Sequence, residues 1–126
     1  MRTMVCFRTA EGRFALPIES TLSVTTIEGL VNLPAPRADV IGVLPSDPPL
    51  SVLASLGSGG SQVLVLVSQG VRYGLQVLEV FGVQRFADDQ VGPPPQGQEG
   101  DLISGTVGES DELTLVVDPT VLAARL

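Results

Sequence analysis

The chain has 126 residues, enough for one domain with a buried core that needs neither a disulfide nor a metal. Its net charge of -7 disfavours nucleic acid and bare anionic membrane as partners, because both would repel it. Without histidine or lysine, histidine-based catalysis, histidine metal sites, Schiff bases and a P-loop lysine are excluded. The single cysteine, Cys6, excludes an internal disulfide and thiolate zinc sites.

The first half of the chain reads as short strands separated by turns and loops. Alternation places Phe14, Leu16 and Ile18 on one face of a strand, and Pro17 predicts that this strand is at a sheet edge or ends there. Residues 28–39 read as a loop, and the run from Pro45 to Pro49 breaks the chain sharply. The predicted strands of this half cover 4–8, 13–18, 22–27, 40–44 and 50–56.

The second half continues the same pattern after a flexible connection at 57–61. A turn at 68–70 predicts a hairpin, and residues 87–101 are rich in Pro, Gly and Gln and predict an extended loop. Asp118 as N-cap and Pro119 at the first helical position predict a final helix of at most two turns. The predicted strands of this half cover 63–67, 71–77, 80–86, 102–107 and 113–117. Many short strands with regular turns are typical of a small barrel or sandwich.

The remaining chemistry-bearing residues favour surface or core roles over catalysis. Cys6 lies in an apolar run and reads as a buried thiol, although Arg8 on the same strand face leaves a reactive thiol open. The paired carboxylates lie in turns and polar loops, where charges are usually solvated. Those pairs are Asp88 with Asp89, Glu99 with Asp101, and Asp111 with Glu112. We therefore expect no catalytic residue, no metal and no cofactor. The sequence has no long apolar run, which predicts a cytoplasmic protein with no direct membrane insertion.

Several stretches, in this order along the chain, resemble one known family. The stretches are Phe7-Arg8, 12–18, Leu33-Pro34-Ala35-Pro36, Val40-Ile41-Gly42-Val43, Tyr73-Gly74-Leu75, Ile103-Ser104-Gly105 and 113–118. Together they resemble the chemotaxis coupling proteins, the CheW-like domain family, from about residue 4 to residue 126. Each stretch is short, and their shared order and spacing carry the resemblance.

The resemblance implies an all-β, CheW-like fold with two small interlocked SH3-like five-stranded β-barrels, a hydrophobic groove between them and a short C-terminal helix. Residues 1–126 would then be a single domain made of two barrel subdomains. The implied role is a non-enzymatic coupling or scaffold protein of chemosensory two-component signal transduction. Its implied partners are the regulatory domain of a CheA-type histidine kinase and the cytoplasmic tip of chemoreceptors. No cofactor belongs to that fold.

The chain departs from the family pattern at three positions. The family usually has an N-L-R-G motif after the Gly-Val stretch, and its Arg helps to contact receptors, whereas a gapless alignment places Asp47 there. Leu78 stands where an Asp is usual, and Thr26 stands where a Glu is common. A charge reversal would turn attraction into repulsion of the usual partner, but Ser46-Asp47-Pro48-Pro49 is also good turn chemistry. Both readings of Asp47 stay open at this point.

These observations predict a partner-binding strip and a second, smaller contact near the expected groove. The predicted strip is Gly42, Val43, Leu44, Pro45, Ser46, Asp47, Pro48 and Pro49, and the second contact centres on Ile103 and Gly105. The first hypothesis is a scaffold that binds kinase and receptor. The alternatives are an adaptor of the same fold that has lost receptor binding, and a ligand-binding or hydrolytic barrel that uses paired carboxylates.

Overall fold

Two five-stranded sheets and one short helix make up the computed structural model, which describes residues 1–33, 39–95, 102–108 and 113–126. The first strands are β1 (Arg2–Thr9), β2 (Gly12–Pro17), β3 (Thr21–Thr26), β4 (Val40–Leu44) and β5 (Leu50–Leu53). The later strands are β6 (Gln62–Ser68), β7 (Val71–Val77), β8 (Glu79–Phe86), β9 (Ile103–Val107) and β10 (Thr114–Val117). Helix α1 (Pro119–Ala123) follows, and no helix in the described ranges is long and apolar enough to span a membrane.

The chain path interlocks the two sheets. Sheet 1 has the strand order β8-β1-β2-β10-β9, and sheet 2 has the order β3-β6-β7-β5-β4. In sequence order, therefore, all five strands of sheet 2 lie between β2 and β8 of sheet 1. Most neighbours are antiparallel, while β2 with β10 and β5 with β7 are parallel pairs. The two five-stranded sheets and the terminal helix confirm the predicted all-β fold.

Each sheet buries side chains on both of its faces. In β1, Val5 and Phe7 face a central core between the sheets, while Met4 and Cys6 face a smaller core within sheet 1. This alternation follows from the two-residue period of a strand. Sheet 2 repeats the pattern on β6, where Leu64 and Leu66 face the central core and Val63 and Val65 face the smaller core of sheet 2. Tyr73 and Leu75 of β7 join the central core, and Val52 of β5 joins the smaller one.

The C-terminal helix is tied to the central core and to both sheets. Asp118 caps it by accepting a hydrogen bond from the Thr120 amide at 2.9 Å, and Pro119 occupies the first helical turn, as predicted. Leu122 is fully buried, and the Tyr73 hydroxyl donates to the Pro119 carbonyl at 2.9 Å. These contacts anchor a helix that is too short to be stable alone.

The structure differs from the predicted elements at a few ends. Strand β2 ends at Pro17, so Ile18 leaves the predicted apolar face, starts a 3₁₀ turn (Ile18–Ser20) and is 37% exposed. Strand β5 ends at Leu53 rather than extending to residue 56. Within the predicted loop 87–101, Asp88–Gln90 forms a second 3₁₀ turn, because the Gln90 side chain accepts a hydrogen bond from the Ala87 amide. Most of the predicted turn at 108–111 lies outside the described residues.

Replacing Tyr73 with Phe tests the anchor of the helix. Burial and the nearby Asp118 carboxylate raise the pKa of Tyr73 from 10.0 to about 12. Because the folded state holds this proton more tightly than the unfolded state, the Tyr73 contribution to stability is complete below pH 10 and is lost as the pH rises towards about 12. We expect Tyr73→Phe to lower the free energy of unfolding by about 1 kcal/mol at neutral pH, since the Pro119 carbonyl loses its donor.

Urea unfolding across this pH range measures both effects. The variant should lose less stability than the original chain between pH 10 and about 12. Tyr73 is the single tyrosine, so phenolate absorbance follows its titration without interference. A phenol that titrates at its ordinary pKa in the folded protein, together with unchanged stability of the variant, would contradict the anchor.

Candidate partner-binding surface

The predicted strip begins on β4, which is an outer strand of sheet 2. Gly42 and Leu44 are buried, and Val43 is half-buried. The free edge of β4 is partly covered, because Val31 and Val43 exchange two backbone hydrogen bonds of 2.9 Å. Glycine is required at 42, since a Cβ there would come within 2.6 Å of the Val31 carbonyl oxygen. This half of the strip therefore supports the loop that follows it and presents little side-chain surface of its own.

The second half of the strip is an exposed loop between β4 and β5. All five residues from Pro45 to Pro49 are exposed. The Ser46 hydroxyl donates to the Pro48 carbonyl oxygen at 2.6 Å, and the Asp47–Pro48 peptide bond is cis. No cation among the described residues lies within 4.0 Å of the Asp47 carboxylate. The residues thus form the turn that their chemistry predicts, and they also present to solvent a negative charge that no described cation pairs with.

The second predicted contact lies on a different sheet. Strand β9 is an outer strand of sheet 1, and Ile103 is buried in the central core. Gly105 is also buried, and a Cβ there would approach the Gly92 carbonyl oxygen to 2.8 Å. Gly92 covers the β9 edge by exchanging backbone hydrogen bonds of 2.7 and 3.1 Å with Thr106. The strip and β9 therefore do not form one continuous edge.

An apolar groove of about 370 Å³ runs between β3 and β8, the remaining outer strands of the two sheets. Its walls expose large apolar side chains, notably Leu22 at 53% on β3 and Val83 at 56% on β8. The rest of its apolar lining comes from Val5, Ile18, Val24, Leu64 and Val80. Such a concentration of exposed apolar side chains is typical of an interaction site. Neither Ile103 nor Gly105 lines it, because β9 is at the far edge of sheet 1.

A second cleft, of about 280 Å³, lies on the other face of β3. Sheet 2 curves so that its two ends meet here: Ser23 and Thr25 of β3 face Pro45 and Ser46 of the exposed loop. The cleft also contains Arg72 of β7, the polar side chains Thr26 and Glu28, and an apolar floor of Leu44, Leu50 and Val65. The structure therefore brings Thr26, one of the departures from the family pattern, onto the same cleft as the loop that carries Asp47.

Sequence reasoning did not identify the groove residues or Arg72 as members of a surface. The strands β3 and β8 are about 60 residues apart in the chain, and no local pattern shows that they are neighbours. For Arg72 a signal was present, since alternation on β7 places it on the face opposite Tyr73. That face could be recognised as a cleft only once the curvature of sheet 2 was known.

The described residues assemble no acid–base pair or nucleophile. Cys6 is buried, and its Sγ lies 3.8 Å from the Gln84 side-chain oxygen. Burial raises the pKa of its thiol, which favours a core residue over a reactive thiol. Asp88 is exposed and pairs with the Met1 amino group at 3.6 Å and with Arg2 at 3.8 Å. Asp89 is exposed as well, and the remaining carboxylates considered, Glu99, Asp101, Asp111 and Glu112, lie outside the described residues.

Comparison with known proteins agrees with the fold. A sequence model of the CheW-like domain matches residues 48–126, which is more than half of the chain. The chain belongs to the CheW-like domain family. The crystal structure of the scaffolding protein TtCheW from Thermoanaerobacter tengcongensis superposes with a TM-score of 0.80 and 19% sequence identity, over 93% of this chain and 88% of that one. The two proteins thus share the fold, whereas no curated protein matches the chain in sequence.

The family match starts at Pro48, in the last part of the exposed loop. The β4 half of the strip, including Gly42, therefore precedes the matched CheW-like region. The structural superposition extends over most of the chain, so the fold is common to both halves.

Replacing Gly42 with Ala tests whether β4 is held by the Val31 segment. The added Cβ would meet the Val31 carbonyl oxygen at 2.6 Å, and backbone at this distance must move. We expect the free energy of unfolding to fall by about 1–3 kcal/mol. Hydrogen exchange of the Val31 and Val43 amides should become faster, because these two groups form the displaced bridge. Unchanged stability with both amides still protected would refute this account.

Proposed function

We propose that the protein is a non-enzymatic coupling scaffold of chemosensory signal transduction that bridges chemoreceptors and a CheA-type histidine kinase. Membership of the CheW-like family supports this role, and the structurally similar TtCheW is a scaffolding protein. The observation that carries the proposal is the apolar groove between β3 and β8. It offers a binding surface made by both sheets together, and the described residues around it contain no catalytic arrangement.

The groove has the character of a site for an amphipathic helix. Helices bind to grooves by inserting apolar side chains at positions three and four residues apart, and an open apolar trough suits this mode. Leu22 and Val24 project from one wall, and Val83 projects from the other. Of the two partners that the family resemblance implies, we assign the cytoplasmic tip of a chemoreceptor to this groove. The regulatory domain of the kinase then binds elsewhere, which leaves both partners in place at once.

A bridging protein of this kind acts through effective concentration. When one molecule holds the receptor and the kinase together, the second contact becomes intramolecular and needs little affinity of its own. This mechanism requires two surfaces that do not overlap, and it requires no chemistry in the scaffold. This chain fits both requirements, because it exposes several apolar side chains and its described residues assemble no catalytic group.

The direct test uses the receptor cytoplasmic fragment and the kinase regulatory domain encoded in the same genome. We expect light scattering to detect a ternary complex with this protein at micromolar concentrations. Leu22→Asp should weaken the receptor contact by at least about tenfold, because it places a charge in the apolar groove. The same variant should keep its affinity for the kinase domain in calorimetry.

The matched control is Leu113→Asp, which changes an exposed leucine outside the groove. This control should bind the receptor fragment as the original chain does, and both variants should unfold at the original denaturant concentration. If the original chain binds neither component at high micromolar concentration, the coupling function is wrong. If both variants bind the receptor equally well, the receptor does not occupy the groove.

A second candidate function is an adaptor of the same fold that no longer binds receptors. The exposed carboxylate of Asp47, which has no partner among the described cations, favours it, because an anion would repel a partner surface that is complementary to a cation. A gene that lies beside receptor and kinase genes favours coupling, and a gene that stands apart from them favours the adaptor.

Replacing Asp47 with Arg separates the repulsive role of Asp47 from its role in the turn. We expect Asp47→Arg to strengthen receptor binding by about tenfold, with most of the change in the association rate and a dependence on salt. Asp47→Asn serves as the control, because it removes the charge and retains a good turn former. Equal affinities for all three proteins would show that Asp47 serves the turn alone.

A further inference from the structure

Among the arginines of the described residues, only Arg72 and Arg85 have neither a carboxylate within 4.0 Å nor a stacked aromatic ring, and of these two only Arg72 lines the cleft. Arg2, Arg8 and Arg125 pair with carboxylates at 3.8, 3.6 and 3.3 Å. The Arg13 guanidinium lies over the Phe81 ring, 5.4 Å from its centroid. Arg72 lines the cleft beside the exposed loop, and no carboxylate of the described residues lies within 4.0 Å of it. Its positive charge is therefore available to a binding partner.

The lining of the cleft combines this cation with hydroxyl groups and an apolar floor. Ser23, Thr25 and Ser46 supply hydroxyls that can donate hydrogen bonds to an anion. The floor of Leu44, Leu50 and Val65 can accept an apolar side chain or the methylene groups of a longer one. A planar guanidinium binds a carboxylate through two parallel hydrogen bonds, which adds geometric selection to the attraction.

We propose that Arg72 determines partner specificity by receiving a carboxylate side chain, Asp or Glu, of the receptor bound along β3. This inference rests on the proposed function, and it adds the charge that the partner must carry. Ser23 of β3 lines both the groove and the cleft, so a partner that lies in the groove and continues over β3 enters the cleft that Arg72 lines. The apolar groove supplies contact area, and Arg72 selects among partners that all have an apolar face.

A side-chain carboxylate fits the cleft better than a phosphate group does. Glu28 lines the same cleft and would repel a doubly charged group more strongly than a singly charged one. The whole chain carries a net charge of -7, which also opposes a dianion. The apolar floor suits the methylene stem of Asp or Glu beside its charged end.

The test compares two arginine reversals that change the net charge equally. Arg72→Glu places an anion in the cleft, and Arg85→Glu makes the same change at an exposed arginine of β8 that lines neither the cleft nor the groove. Calorimetry with the receptor fragment should show a loss of about tenfold or more for Arg72→Glu and less than about threefold for Arg85→Glu. The difference between the two variants should shrink at high salt, because screening weakens the lost attraction.

The outcomes separate this inference from the proposed function. If the original chain binds the receptor fragment and Arg72→Glu binds equally well, the assignment of Arg72 is overturned while coupling stands. Equal losses in both variants would also overturn it, because bulk charge would then explain them. If the original chain binds no receptor fragment, the proposed function fails and the inference fails with it. Both variants change exposed side chains, so their unfolding curves should match the original and exclude misfolding as the cause.

Discussion

Strands β1 and β6 carry apolar side chains on both faces, and this double burial governs the arrangement of the whole chain. One face of each sheet closes on a small core of its own, and the other face packs into the central core between the sheets. Along the chain, all five strands of sheet 2 come after β2 and before β8 of sheet 1, so the two sheets are interlocked. Burial of Val and Leu side chains supplies the main stabilisation, since the sequence has few aromatic residues.

The binding surface is a consequence of that packing. Because the central core joins the sheets back to back, the outer strands β3 and β8 are left beside each other without a strand between them. Their apolar side chains form the groove, and the curvature of sheet 2 around its own core forms the cleft behind β3. The two remaining outer strands are covered by short bridges at Val31 and Gly92. The fold thus leaves open the side on which the proposed receptor contact lies and shields the edges of β4 and β9.

Prediction from the sequence was most successful where the signal is local. The limits of β4 and β7 and the capping of α1 by Asp118 follow from alternation and from proline and aspartate chemistry, and the structure agrees with each. Of the two alternatives predicted at Pro17, a sheet edge or a strand end, the structure has the strand end. Ile18 was misplaced because the chain turns after Pro17, which a count of alternating positions does not include. The partner-binding residues remain a prediction, and the structure shows only how exposed each of them is. The loop that carries Asp47 is exposed as a partner strip requires, whereas Gly42, Ile103 and Gly105 are buried against neighbouring segments.

By itself, the sequence determined the fold class, the absence of histidine and lysine chemistry, and the resemblance to CheW-like domains, because these depend on composition and on short ordered motifs. Tertiary structure decided which exposed residues share a surface. Leu22 and Val83 line the same groove, and Thr25 and Arg72 line the same cleft, although each pair is separated by more than forty positions in the sequence. Which residues line a common surface depends on how two curved sheets pack on a common core, and no local stretch of sequence encodes that geometry alone.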